Sequence, residues 1–174
     1  MGFRSLCFVL GTALLGGVPP ASFGQSNGAC PVTVAPNPPF VPPPRWDPVG
    51  SSGGKYFLFG TSGLWAYVHS HWKLHADGRK LPYFSEYFDW MTETPPRMTV
   101  VAKRLDAPAP VVQAEPVNRA GPSSRYGEPT DLTKPGFMVT ALEIPSAGCW
   151  EISARYSPPQ RDPQTVSYTV LVEP

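Results

Sequence analysis

The stretch GFMVTALEIPSAGCWEISARYS, residues 136–157, decides the fold that we predict for this chain of 174 residues. It contains two apolar runs separated by a short polar corner at residues 146–148. In the second run every other residue is apolar, and side chains alternate between the two faces of a strand. The pattern predicts a half-buried strand whose core-facing residues are Trp150, Ile152, Ala154 and Tyr156.

Residues 165–173, TVSYTVLVE, repeat this alternation of polar and apolar side chains. The residues expected to face the core are Val166, Tyr168, Val170 and Val172. We therefore predict an all-β fold in which three consecutive antiparallel strands close a small β-sandwich.

The corner SAGCW, residues 146–150, resembles the corner between strands E and F of immunoglobulin-like domains, where an aromatic residue packs beside a cysteine. Ser146, Gly148 and Trp150 stand where that pattern has Asp, Gly or Ala, and Tyr. Cys149 departs from the pattern because it precedes the aromatic residue instead of following it. The resemblance implies an immunoglobulin-like antiparallel β-sandwich of roughly seven strands.

The chain also resembles an uncharacterised family of secreted bacterial proteins with a C-terminal GCWEI-type motif. Three segments carry this resemblance: GCWEISARY at residues 148–156, VAKRLDAPAP at residues 101–110 and GLWAYV at residues 63–68. It extends from about Cys30 to the C-terminus. The resemblance bears on fold and location, and it implies no activity.

Residues 1–24 have the features of a secretory signal peptide. Arg4 supplies the positive charge, residues 6–18 form the apolar run, and Ser22 and Gly24 are the small residues before a cleavage site. The apolar run is too short for a membrane anchor, which needs about 20 apolar residues. We therefore predict a soluble chain that is secreted or periplasmic and has no membrane span.

The next segment, residues 25–54, is rich in proline. Proline fixes φ and donates no backbone hydrogen bond, so this segment cannot form an interior strand. Residues 31–35 fit a short edge strand, whereas residues 36–54 fit either an extended arm along the domain surface or a flexible linker. We predict the β-sandwich domain at residues 55–174.

Within the domain, apolar or alternating patterns predict further strands at residues 55–60, 64–68 and 98–105. The dipeptide Asp77-Gly78 predicts a hairpin between residues 71–75 and residues 80–84. The aromatic-rich residues 83–90 fit either a strand or a short helical turn. Residues 106–135 are predicted as a long loop, and a loop of that length is usually functional or disordered.

Two cysteines remain once the predicted signal peptide, which contains Cys7, is removed. A solitary pair in an exported chain usually forms a disulfide, so we predict a bond between Cys30 and Cys149. Because it would close a long loop, the chain-entropy model gives a stabilisation of about 4–5 kcal/mol. Two buried free thiols are the alternative.

The charges exclude some partners. The chain has 14 basic and 13 acidic residues, and the loss of Arg4 with the signal peptide leaves them balanced. Such a surface lacks the basic patch that nucleic acid or an anionic membrane attracts. We predict no nucleic-acid partner, and an unknown protein or carbohydrate as the ligand.

The three histidines of the chain are close together, at His69, His71 and His75. If residues 64–75 formed one strand, all three imidazoles would lie on one face and could bind Zn²⁺ or Cu²⁺. A break near Ser70 would separate them. A secreted or periplasmic metal-binding protein is therefore the alternative function.

Two aromatic residues, Trp65 and Tyr67, are the candidate ligand-binding residues. The residues that alternate with them are apolar and are expected to face the core, so Trp65 and Tyr67 should face outward. We expect an exposed site there, bordered by residues 106–135. The competing explanation is that residues 36–48 cover both rings and form a second small core.

No catalytic or cofactor-binding motif is present. The closely spaced acids Glu86, Asp89 and Glu93 could act as an acid–base pair only if the fold brought two of them across a cleft. We therefore predict no enzyme activity and no cofactor. The predicted function is an exported module that acts in binding or in cell-envelope interaction.

Overall fold

The computed structural model describes residues 29–43, 56–74, 78–93, 95–117, 119–122 and 136–174. Of residues 119–122 only the backbone is described. The predicted signal peptide at residues 1–24 and the later part of the proline-rich segment, residues 44–54, lie outside the described residues. In the part of the chain that is described, no helix has the length and apolar character to cross a membrane.

The described residues form ten β-strands and no helix. The strands are β1 (Phe57–Thr61), β2 (Leu64–Val68), β3 (His71–Lys73), β4 (Arg79–Phe84), β5 (Met98–Arg104), β6 (Val112–Gln113), β7 (Arg119–Pro122), β8 (Gly136–Leu142), β9 (Gly148–Tyr156) and β10 (Gln164–Glu173). The structure thus has more strands than the roughly seven expected. Strands β3, β6 and β7 contain only three, two and four residues, which is too short for a visible alternation in the sequence.

The strands build two five-stranded sheets that pack face to face, which confirms the predicted all-β sandwich. The first sheet has the order β1-β2-β4-β8-β7, and all its neighbouring strands are antiparallel. The second sheet has the order β3-β10-β9-β5-β6. Its neighbours are antiparallel except β3, which pairs parallel to β10.

The core between the sheets contains the predicted faces of β9 and β10, and this prediction is confirmed. In the antiparallel β9–β10 pair, Trp150 lies opposite Val170 and Ile152 lies opposite Tyr168. All eight predicted core residues are buried, and Trp150 is fully so. The hydroxyl groups of Tyr83 on β4 and Tyr168 on β10 are 3.1 Å apart, so a buried hydrogen bond joins the two sheets.

Two connections differ from the prediction. Strand β8 belongs to the first sheet and β9 to the second, so the corner at residues 146–148 crosses between sheets instead of turning within one. The hairpin predicted at Asp77-Gly78 is also wrong, because β3 pairs with β10 whereas β4 pairs with β2 and β8. Trp72 and Leu81 are buried from opposite sheets, so the chain between them passes from one layer to the other.

The proline-rich segment is attached to the domain over its described part, residues 29–43. Cys30 and Cys149 form the predicted disulfide, with their Cα atoms 5.4 Å apart. The backbone N–H of Thr33 donates to the carbonyl oxygen of Thr169 (2.9 Å), and the N–H of Thr169 donates to Thr33 Oγ1 (2.8 Å). Residues 29–43, hereafter the arm, therefore lie against the domain beside β10.

Other predicted segments agree in part. The strands predicted at residues 55–60, 64–68 and 98–105 are confirmed as β1, β2 and β5, with slightly shifted ends. In the aromatic-rich segment, β4 ends at Phe84 and turns follow it. The predicted loop 106–135 contains the short strands β6 and β7, and its residues 123–135 lie outside the described residues.

Candidate functional site

The predicted aromatic site at Trp65 and Tyr67 is not an exposed surface, so this prediction is wrong. Trp65 is only 1% exposed and belongs to a small second cluster with Phe84, whose ring centroid is 6.0 Å away. Phe40 of the arm packs on Trp65, with the ring centroids 5.8 Å apart. Tyr67 is half-buried in the same cluster, and this burial raises the pKa of its phenol. Alternation identified the outer face of the sheet correctly, but the arm covers that face.

His69 and His71 do not lie on one strand, because the strand breaks near Ser70, which is the alternative that separates the histidines. Strand β2 ends at Val68, and His69 lies in the link that crosses from the first sheet to the second. His71 begins β3 and is exposed, with its Nδ1 3.9 Å from Glu173 Oε1. His75 lies outside the described residues. Within the residues that are described, no three His, Cys, Asp or Glu side chains are grouped to hold a metal ion.

Two loops meet at one end of the sandwich, and they form the best candidate site. They are residues 85–97, between β4 and β5, and residues 157–163, between β9 and β10. Tyr156 at the end of β9 pairs with Met98 at the start of β5 and with Gln164 at the start of β10. This register brings both loops to the same end, hereafter the loop end.

A buried acid–tyrosine pair fixes the longer loop to the core. Glu93 is 8% exposed, and its Oε2 accepts a hydrogen bond of 2.6 Å from the hydroxyl of Tyr156. Its other oxygen accepts a hydrogen bond of 3.3 Å from the backbone N–H of Arg97. Burial and the neighbouring Glu93 carboxylate raise the pKa of the Tyr156 phenol. The loop is thus held by a carboxylate that orients the backbone at Arg97.

Shorter hydrogen bonds stiffen the rest of this loop. The buried Ser85 hydroxyl accepts a hydrogen bond of 3.0 Å from the backbone N–H of Tyr87. Asp89 accepts from the hydroxyl of Thr92 (2.8 Å) and from the backbone N–H of Met91 (3.0 Å). These bonds, that to Thr92 above all, lower the pKa of the exposed Asp89 carboxyl. The loop is therefore ordered by its own side chains.

A wide, open cleft of about 560 Å³ lies where residues 157–162 of the shorter loop face Arg97, the last residue of the longer loop. Its lining is mostly polar and consists of Arg97, Ser157, Pro158, Gln160, Arg161 and Asp162. The carbonyl of Arg97 accepts a hydrogen bond of 2.9 Å from the N–H of Ser157, which joins the two sides of the cleft.

The arginines of the cleft are available to a ligand. Within the described part of the chain, neither Arg97 nor Arg161 lies within 4.0 Å of a carboxylate. The Arg161 guanidinium lies 4.4 Å from the centroid of the Tyr87 ring, a cation–π contact that limits its freedom. Gln160, which directly precedes Arg161, has φ 57°, a left-handed conformation that is uncommon for a residue with a Cβ atom.

The three acids that the sequence pointed to, Glu86, Asp89 and Glu93, have different surroundings in the fold. Glu93 is buried and hydrogen-bonded to Tyr156, whereas Asp89 and Glu86 are exposed and Asp89 closes a turn. Sequence reasoning missed Arg97, Gln160 and Arg161. The segment SPPQRDPQ, residues 157–164, does announce a loop between two strands, but it does not say which loop of the other sheet it meets.

The opposite end of the sandwich, hereafter the tied end, is closed by covalent and ionic contacts. Arg104 Nε lies 2.7 Å from Asp106 Oδ1, and Asp106 Oδ2 accepts a hydrogen bond of 3.0 Å from the N–H of Cys149. The guanidinium of Arg104 also donates to the hydroxyl of Ser146 (3.1 Å). The hydrogen bond from Arg104 holds the pKa of the Asp106 carboxyl below its usual range.

Glycine is required at one position of the tied end. Gly148 has φ 144°, and a Cβ atom there would lie 2.7 Å from the Arg104 guanidinium and 2.9 Å from Asp106. The positive φ favours glycine at residue 148, and a larger residue would also displace the ends of Arg104 and Asp106.

Comparison with known proteins returned no match: no family model, no curated protein and no solved structure matches this chain.

Proposed function

We propose that this chain is an exported, non-enzymatic module of immunoglobulin-like type that binds a component of the cell envelope at the loop end. The observation that carries the proposal is the open cleft between residues 85–97 and residues 157–163, whose two arginines make no ion pair within the described part of the chain. Loops held on a rigid β-scaffold are a common place for ligand binding.

The order of the strands supports the immunoglobulin-like type. In that fold strands B and E belong to one sheet and strands C, F and G to the other. Strands β4 and β8 fit B and E, and β5, β9 and β10 fit C, F and G. In variable immunoglobulin domains the B–C and F–G loops belong to the antigen-binding end, and the two loops of the cleft correspond to them.

The corner before β9 supports the same type. Immunoglobulin-like domains carry a tyrosine near the start of strand F whose hydroxyl bonds to the backbone a few residues upstream. Here Trp150 has that place, and its indole Nε1 donates to the carbonyl of Ser146 at 3.1 Å. The indole N–H of Trp150 therefore makes the hydrogen bond that the tyrosine hydroxyl makes in those domains.

Export is supported by two independent features. The Cys30–Cys149 disulfide is typical of proteins that fold in an oxidising compartment. Residues 1–24 have the charge, apolar run and small residues of a secretory signal peptide. Export gives the loop end access to envelope polymers and to surface proteins.

Hydrogen exchange on the purified chain, with and without cell-envelope material of the producing organism, tests the proposal. We expect the bound chain to sediment with the envelope, and exchange to slow at residues 85–97 and 157–163. Residues 105–111 and 143–147 of the tied end serve as the internal control and should be unchanged.

A loop variant completes the test. Replacing Gln160 and Arg161 together by glycine keeps the loop length and removes two lining side chains, so we expect sedimentation with the envelope to fall. Protection confined to the tied end, or undiminished sedimentation of this variant, would contradict binding at the loop end. Export is tested separately, by N-terminal sequencing of the chain recovered outside the cytoplasm.

A further inference from the structure

We propose that the cleft at the loop end recognises an acidic saccharide, a sugar ring that carries a carboxylate. This proposal rests on the proposed function of the cleft as a binding site. It adds the chemical class of the ligand, which follows from the charges, the hydrogen-bonding groups and the rigidity of the lining residues.

The carboxylate of the ligand is assigned to the two arginines. Arg97 and Arg161 line the same cleft, and one acid, Asp162, lines it with them. Guanidinium groups bind carboxylates through paired, charge-assisted hydrogen bonds. Because neither arginine is engaged by a carboxylate within the described residues, an incoming carboxylate displaces no existing ion pair.

The backbone of Arg97 and the guanidinium of Arg161 are positioned before a ligand arrives. The backbone of Arg97 donates to the buried Glu93 carboxylate and accepts from the N–H of Ser157. The Arg161 guanidinium lies 4.4 Å from the centroid of the Tyr87 ring. Groups that are positioned in the free protein lose less conformational entropy on binding, which favours affinity.

The hydroxyl groups of the sugar are assigned to the remaining polar residues. The amide of Gln160 both donates and accepts, the Ser157 hydroxyl does the same, and the Asp162 carboxylate accepts. The left-handed backbone of Gln160 is a costly conformation, and such conformations are concentrated at functional sites. The cleft therefore offers acceptors as well as donors.

This mixture of groups separates an acidic sugar from a bare oxyanion. Free phosphate carries its negative charge in one small group, so a contact with the Asp162 carboxylate would bring two anions together. A uronate ring carries one carboxylate for the arginines and several hydroxyl donors for Asp162 and Gln160. The lining suits the second ligand better than the first.

Calorimetric titration of the full chain tests the assignment. The probes are short oligomers of galacturonate, glucuronate and mannuronate, with neutral glucose oligomers of equal length and inorganic phosphate as comparisons. We expect at least one uronate oligomer to bind, and the neutral oligomers to bind about tenfold more weakly or not at all, because charge-assisted hydrogen bonds are roughly twice as strong as neutral ones. Phosphate should also bind more weakly than the uronate, because it lacks the ring hydroxyls for Gln160 and Asp162.

Substitution of the arginines identifies the site. Arg97→Gln and Arg161→Gln each remove one charge, and each should weaken uronate binding about tenfold or more. Arg155→Gln is the matched control, because Arg155 is an exposed arginine on β9 that does not line the cleft. It should bind as the unaltered chain does. A single cooperative melting transition in each of the three variants establishes that all are folded.

Each other outcome overturns the proposal in a distinct way. Equal binding of neutral and uronate oligomers leaves a saccharide site but removes carboxylate recognition. Phosphate binding as tight as uronate binding indicates a site for any oxyanion. An equal loss in Arg155→Gln indicates general charge attraction. If no uronate oligomer binds while the chain still sediments with envelope material through the loop end, the ligand class is wrong and the proposed function stands.

Discussion

The two ends of the sandwich are built by different means. At the tied end, a disulfide, the Arg104–Asp106 ion pair and the hydrogen bond from Cys149 to Asp106 join three separate segments of the chain. At the loop end, the longer loop is held from inside by Glu93 and Tyr156, while Arg97 and Arg161 face an open cleft. The arginines at the two ends therefore have opposite roles. Arg104 has its partners within the chain, whereas Arg97 and Arg161 have no carboxylate partner among the described residues, and we propose that a ligand supplies one.

This difference teaches that charge alone does not identify a binding residue. Arg97, Arg104 and Arg161 carry the same charge, and they differ only in the groups that surround them. A carboxylate two residues away along the chain engages Arg104. The Arg161 guanidinium contacts the face of the Tyr87 ring, which leaves its hydrogen-bond donors usable.

The largest expected effect lies beside the tied end, at the core residue Trp150. Trp150→Ala removes a fully buried side chain and its hydrogen bond to the Ser146 carbonyl, so the free energy of unfolding should fall by about 3–5 kcal/mol. Urea denaturation measures this loss. Trp150→Phe retains most of the apolar volume and should lose clearly less, and equal losses would mean that packing at this corner is unimportant.

Removal of the disulfide should have the next largest effect. The bond joins residues that are 119 positions apart, so replacing Cys30 and Cys149 by alanine should lower the free energy of unfolding by about 2–5 kcal/mol. If Phe40 of the arm moves away from the buried Trp65, the tryptophan fluorescence of the chain should shift. Should the alanine variant be as stable as the unaltered chain, the other contacts of the tied end are sufficient without the covalent bond.

At the loop end, Tyr156→Phe tests the anchor of the longer loop. The substitution leaves the buried Glu93 carboxylate without its hydroxyl donor, which should cost about 1–3 kcal/mol. Hydrogen exchange should increase at residues 85–97 and stay unchanged at the tied end. Tyr56→Phe, which removes an exposed phenol outside this loop, is the control, and an equal effect there would argue against a specific role for Glu93.

Alkaline pH should destabilise the core between the two ends. Burial raises the pKa of Tyr168 to about 12, and it raises the pKa of Tyr83 as well, whereas both phenols lose their protons near pH 10 in the unfolded chain. Between about pH 10 and 12 the folded chain thus holds more protons, and the free energy of unfolding should fall by about 1.4 kcal/mol per pH unit for each such tyrosine. Tyr168→Phe should show a smaller slope, and an unchanged slope would contradict the assignment.

The smallest expected effect sharpens the comparison of the arginines. Arg104→Gln breaks an ion pair and a hydrogen bond to Ser146, so we expect a loss of about 1–2 kcal/mol. Arg161→Gln removes an exposed cation–π contact and should cost about 0.5–1 kcal/mol. Thermal denaturation of both variants makes the comparison, and a larger loss for Arg161 would assign it a structural role.

The parts of the fold that the sequence predicted are those governed by local alternation or by a single possible pairing. Strands β9 and β10 alternate because one face of each packs on the opposite sheet. The two cysteines outside the predicted signal peptide had one possible partner each. The hairpin at Asp77-Gly78 failed because a turn dipeptide does not specify whether the chain turns within a sheet or crosses to the other.

The candidate site could not be predicted from alternation or from the cysteine pair, because its residues are far apart in the sequence. The cleft needs residues 97 and 157–162, which are brought together only by the register of β5, β9 and β10. The predicted exposure of Trp65 failed because its strand has an apolar partner on each face, the core on one side and Phe40 of the arm on the other. Alternation predicts which side chains share one face of a strand. It does not predict whether a distant segment of the chain covers that face.

The attachment of the arm also bears on association between molecules. Strand β10 is ten residues long, has apolar residues on its core face, and lies at the side of its sheet where only the three-residue β3 follows. An open strand edge of this kind exposes unpaired backbone groups and invites strand addition by a second chain. Thr33 of the arm bonds to β10 at Thr169, and β3 pairs with β10 from Leu171 to Glu173. By holding the arm there, the Cys30–Cys149 bond protects the chain against aggregation along the half of β10 that β3 alone would leave partly open.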